Sequence, residues 1–145
     1  MIERTRLAGL VIAGCLALPG MVLAQEAYPD LRGTWIGPGQ SVTLGQTDQW
    51  PAAEPGAPVF REGSWTVIFD RQEGSLVSGT QGLTDGGRRD PLLGVIRGDR
   101  ATVLMVDDDG TFTALLTGPD ALEMCRTEVT DHSQLVGCRQ LTRQK

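Results

Sequence analysis

The chain has 145 residues, enough for one domain. With 40% hydrophobic and 21% charged residues it is not a disordered chain, and a formal net charge of −5 excludes the basic face of a general nucleic-acid binder. Nineteen Gly, eight Pro and 5% aromatics point to turns and short elements, while the absence of Asn, a single Lys (Lys145), one His, one Tyr and three Cys leave few catalytic groups.

Residues 1–24 read as a secretory signal peptide. Arg4 and Arg6 form a positive start, Leu7–Leu18 is uncharged, Pro19-Gly20 breaks a helix, and Val22-Leu23-Ala24 offers a cleavage site. The expected location is therefore the periplasm or outside the cell, with no membrane span in the mature form. The alternative is a lipoprotein: Ile12-Ala13-Gly14-Cys15 resembles a lipobox that would anchor the chain at Cys15, although the apolar run continues nine residues beyond it. Cleavage after Ala24 removes Glu3, Arg4 and Arg6, taking 13 basic and 18 acidic residues to 11 and 17, a net −6. It leaves Cys125 and Cys138 as an even pair in an oxidising compartment.

An extended lead-in, residues 25–32, precedes the domain at 33–145. The first strand is expected across Gly33–Leu44, followed by a Pro/Ala/Gly-rich segment, Gly45–Glu62, with no obvious element. Ser64–Arg71 and Ser75–Gln81 flank the turn Gln72-Glu73-Gly74, and a Gly/Arg/Asp loop runs from Gly82 to Pro91. Leu92–Arg97 and Arg100–Val106 flank Gly98-Asp99. Asp107–Gly110 turns into Thr111–Thr117, Gly118-Pro119-Asp120 into Ala121–Thr130, and Asp131-His132 into Ser133–Thr142. Eight short strands with mostly tight links predict an all-β, antiparallel up-and-down barrel, whose closure removes exposed edges.

In the last hairpin a two-residue turn at Asp131-His132 makes cross-strand partners sum to 263, so Cys125 faces Cys138. Counting from the turn puts them at a non-hydrogen-bonded pair, where Cα atoms approach to about 4.5 Å. That suits a structural disulfide.

Gly33-Thr34-Trp35, after the lead-in Tyr28–Arg32, opens the first strand with a Gly-x-Trp motif. This resembles the opening of lipocalins and, more loosely, of avidin-like (calycin-type) barrels, secreted eight-strand meanders. The resemblance implies that Trp35 closes one barrel end beneath an Arg of the last strand, for which Arg139 and Arg143 are candidates. It also places Gly45–Glu62 where a lipocalin carries its lid. A biotin site of the avidin kind is not expected, since Trp35, Trp50 and Trp65 all lie in the first half and Asn is absent.

Asp107-Asp108-Asp109-Gly110 is the densest charge cluster. It reads as a hairpin turn, with Asp107 and Asp109 weak candidates for a cation; the EF-hand spacing fails because position twelve is Gly118. His132 lies beside Ser133 in a turn without an orienting third group, so a nucleophile–base pair is not expected. Glu123 and Glu128 fall on opposite strand faces and make no carboxylate pair. Gly86–Asp90, with Arg88 and Arg89, is either a solvated loop or an anion cradle. Trp50 and Phe60, in a segment longer than ordinary connections, are the lid or ligand-binding candidates, the alternative being a plug for the barrel end. Together these readings predict a non-catalytic barrel without cofactor, holding a small apolar molecule or, alternatively, binding a secreted protein as an inhibitor of a protease or lysozyme does. An open apolar interior would favour the first, a filled one the second.

Overall fold

The computed structural model describes residues 27–47, 49–50 and 56–145. The leader reading on residues 1–24, with Cys15 inside it, and the stretch holding Pro51 and Pro55 lie outside the described residues. Eight strands run in chain order: β1 (Gly33–Gly45), β2 (Val59–Glu73), β3 (Leu76–Leu83), β4 (Asp90–Ile96), β5 (Thr102–Val106), β6 (Gly110–Gly118), β7 (Ala121–Val129) and β8 (Ser133–Arg143). Each pairs antiparallel with the next, and β8 returns to β1, so the expected meander closes into a barrel. Among the described residues no helix is long and apolar enough to cross a membrane.

Side-chain alternation builds the core. On β7, Leu122, Met124, Arg126 and Glu128 are buried while the residues between them are half-buried or exposed, and the other strands turn Trp35, Trp65, Val67, Phe69, Leu92, Val103, Phe112 and Leu141 inward. Gly79 lets two strands approach closely, since a Cβ there would lie 1.8 Å from the Ile68 carbonyl oxygen. Gly74, at φ 59°, supplies the left-handed residue of the β2–β3 turn. Cys125 and Cys138 are bonded across a β7–β8 pair with Cα atoms 4.0 Å apart, in the register set by the Asp131-His132 turn.

Most strand ends differ from expectation by a residue or two, and three starts differ for a local reason. β2 begins at Val59, so Val59–Glu62 are strand rather than loop: Phe60 pairs with Val42 and Glu62 with Gln40, and the Gln40 amide donates to the Glu62 carboxylate at 2.9 Å. Pro58 stands just before the strand, where its missing N–H costs no ladder bond. β4 begins at Asp90, which pairs with Gln81. Arg100 lies in the β4–β5 link with φ 59°, because the Asp99 carboxylate accepts the Ala101 and Thr102 amides at 3.0 and 2.8 Å and winds the chain into a turn.

One end of the barrel is shut by the lead-in. Leu31 is fully buried, its N–H donating to Gln72 Oε1 at 2.8 Å, and the Gln72 amide donates to the Pro29 carbonyl at 2.8 Å. The opposite end, where β1–β2, β3–β4, β5–β6 and β7–β8 are joined, carries the polar chemistry.

Candidate functional site

At the closed end Trp35 is fully buried, and its indole N–H donates to the Leu31 carbonyl at 2.8 Å. The Arg143 guanidinium lies 4.5 Å from its ring centroid and donates to the carbonyls of Arg32 (2.8 Å) and Asp30 (2.5 Å). Of the two terminal arginines it is Arg143 that covers Trp35. Arg139, four residues earlier and on the same face, reaches the barrel interior, where its guanidinium stacks 3.7 Å from the Trp65 centroid and donates to Gln81 Oε1 at 3.0 Å.

From Arg139 a polar network extends to the mouth. Gln81 donates to Asp90 at 3.3 Å and to Asp107 at 3.1 Å. Arg126, 2% exposed, pairs with Asp107 at 3.2 Å, with Glu128 at 3.1 Å and with Asp109, while the Ser133 hydroxyl donates to Glu128. Burial, with the like charge of Arg126 beside it, lowers Arg139 to about 9. Burial also pushes the Asp109 carboxyl up to about 6, and Glu128, Asp107 and Asp108 add to the shift against the pull of Arg126. That guanidinium is shared among three carboxylates, so its contact with Asp109 does not offset the desolvation.

The Asp107–Gly110 segment is a hairpin turn: Asp107 Oδ1 accepts the Gly110 amide at 2.7 Å. The carboxylates placed to share a cation are Asp90, Asp107 and Asp108, with oxygens within 4.8 Å of one another, rather than Asp107 with Asp109. Arg88 already lies among them, 2.5 Å from Asp90 and 3.2 Å from Asp108. Arg89 donates to the Gly82 and Thr66 carbonyls at 3.0 and 3.4 Å, so the two loop guanidiniums point at the barrel's own acceptors rather than at a shared anion. Ser133 is turned to Glu128 and His132 is exposed. Glu123 is half-buried while Glu128 lies inside, on the opposite strand face.

Trp50 and Phe60 part company. Trp50 is half-buried and meets Trp65 edge-on, with ring centroids 6.2 Å apart at 80°, and Arg61 lies 5.3 Å from its centroid. Phe60 is 84% exposed and borders an open surface cleft of about 500 Å³ with Gln40, Val42, Glu62 and Val136. A half-open space of about 10 Å³, about one water molecule's worth, lies between Trp65, Arg126, Leu135 and Arg139 and the β1–β8 residues Gln40, Ser41, Gly137 and Cys138.

Reading the sequence alone missed the interior roles of Gln81, Asp90, Arg126, Glu128 and Arg139. A signal existed for three of them: once the Cys125–Cys138 pair is placed outside the core, period-two alternation puts Arg126, Glu128 and Arg139 on the core face. Compared with known proteins, the chain matches no family model, no curated protein and no solved structure.

Proposed function

We propose that this chain is an exported, non-catalytic barrel of lipocalin-like build that binds a secreted protein on its outer surface. The observation that carries the reading is an interior occupied by bonded polar side chains: Arg139 stacks on Trp65 and donates to Gln81, and Arg126, 2% exposed, pairs with three carboxylates. A small apolar ligand would have to displace the Arg139 guanidinium from Gln81 and the Arg126 guanidinium from three carboxylates, leaving those acceptors underpaired. The outside instead presents Phe60, a nearly bare aromatic beside a cleft with Val42 and Val136, and exposed aromatics are favoured anchors at protein interfaces. The Trp35–Arg143 stack under the lead-in supports the lipocalin resemblance.

The experiment has two arms. Palmitate and 8-anilinonaphthalene-1-sulfonate are titrated while tryptophan emission is followed, with no saturable change expected. The protein is then added to lysozyme and to serine proteases of the trypsin and subtilisin types, with loss of hydrolase activity expected for one class and recovery on Phe60→Ser. Stoichiometric uptake of an apolar probe by the folded protein would overturn the reading.

A further inference from the structure

We infer that the outer face of β4, β5 and β6 is the docking surface for a second copy of this chain. Leu93 and Val95 on β4 face Val106 and Leu104 on β5 as cross-strand pairs, Leu76 extends the row from β3, and Leu115 extends it onto β6. These six side chains are between 38% and 60% exposed. The remaining outward positions of the three strands are threonines and Pro91, so the face carries no charge. This continuous apolar patch amounts to roughly 500 Å², the size of the largest patch on a typical monomer, which is often an interaction site. A standard interface buries roughly 800 Å² on each partner, so these apolar side chains supply more than half of one partner's share.

Charge and symmetry select the occupant. The chain is acidic, at net −5, so two copies repel wherever their carboxylates meet; β2 turns Glu62 and Asp70 outward, and on β7 the half-buried Glu123, opposite Leu115, borders the face. The β4–β6 face is where neither copy brings a charge, and a surface without charge pattern is its own complement about a two-fold axis. Two sheets can then pack aligned, about 10 Å apart. Burial leaves no orphan at the β6–β7 border, because the Thr111 and Thr127 hydroxyls bond each other at 2.8 Å. Beside the patch, the Arg71–Glu73 and Arg97–Asp99 pairs form a polar rim. Since β5 lies across the closed barrel from β1, such a dimer leaves both Phe60 clefts free.

Sedimentation velocity on protein purified from expressing cells, over a hundredfold dilution, tests this. The expected result is a concentration-dependent dimer whose dissociation constant rises about 100-fold in Leu104→Glu and in Thr113→Lys and is unchanged in Phe60→Ser. Thr113 is an exposed threonine whose replacement leaves the core intact, so it decides the matter if Leu104→Glu misfolds by near-ultraviolet circular dichroism. A monomer at every concentration overturns the proposal, as does a dimer that survives Thr113→Lys.

Discussion

The guanidinium of Arg139 lies 3.7 Å from the centroid of the Trp65 ring, at the centre of the barrel. Gly39 makes the contact possible: a Cβ at that position would stand 2.9 Å from both the Arg139 Cβ and the Trp65 ring. With Phe112 5.5 Å away and Gln81 as hydrogen-bond acceptor, a charge without an ion pair among the described residues is held by two π faces and one amide. Planarity and weak hydration suit a guanidinium to this place and an ammonium not at all. Arg139→Lys is therefore expected to cost about 2 kcal/mol, read from urea unfolding, although charge is conserved. An unchanged midpoint would mean that the stack contributes nothing.

The Cys125–Cys138 bond ties the last two strands outside the core, its partners thirteen positions apart in sequence. Replacing both cysteines by serine removes a constraint on the unfolded chain worth about 3 kcal/mol while leaving the core untouched. The double variant is expected to keep the wild-type far-ultraviolet spectrum and to melt at lower temperature. Thiol titration of the native protein should find neither of these two cysteines.

Strand order, closure and the cysteine register were legible because they depend on local signals: alternation, turn residues and a two-residue loop that fixes the pairing sum. The start of β2 was not, since Pro58 and the mixed Val59–Glu62 stretch read as a continuation of the Pro/Ala/Gly segment until the pairing with β1 is seen. The mouth network was hidden for another reason. Arg139 meets Gln81 across 58 residues, and which inward polar side chains share a level in the barrel depends on strand stagger, which no local pattern records. Trp35 was accessible through its Gly-x-Trp motif, but the choice of Arg143 over Arg139 as its cover follows from the same stagger.

Asp109 gives the mouth a pH response. Its carboxyl is pushed up to about 6, above the value of a free aspartate, chiefly by burial. A folded-state value raised above the unfolded one means that ionisation costs stability above about pH 6, a cost that disappears as pH falls toward about 4. Asp109 is only partly buried, so solvent screening leaves about 1–2 kcal/mol of that cost. Asp30, held at about 2 by the hydrogen bond from Arg32, works in the opposite sense, losing its contribution only below about pH 4, and it is half exposed. The melting temperature is thus expected to rise from about pH 7 to about pH 5, and Asp109→Asn should flatten that rise. A wild-type profile that falls over this interval would refute the assignment.

Trp50 distinguishes a plug from a lid. Its ring stands edge-on to Trp65 at 6.2 Å beneath the Arg61 guanidinium, and Gly63 makes room for it, since a Cβ there would lie 3.0 Å from the indole. A lid residue that clasps a ligand loses binding when truncated. A plug does the reverse, because removing it opens space over Trp65. Trp50→Ala is accordingly expected to cost about 3 kcal/mol as a large-to-small change at a partly buried site. It should also create binding of 8-anilinonaphthalene-1-sulfonate where the wild type has none, and Trp50→Phe should restore most of the stability and abolish the new probe signal. Should the wild type bind the probe and Trp50→Ala release it, the residue is a lid over a ligand and the filled interior is one state of a barrel that opens.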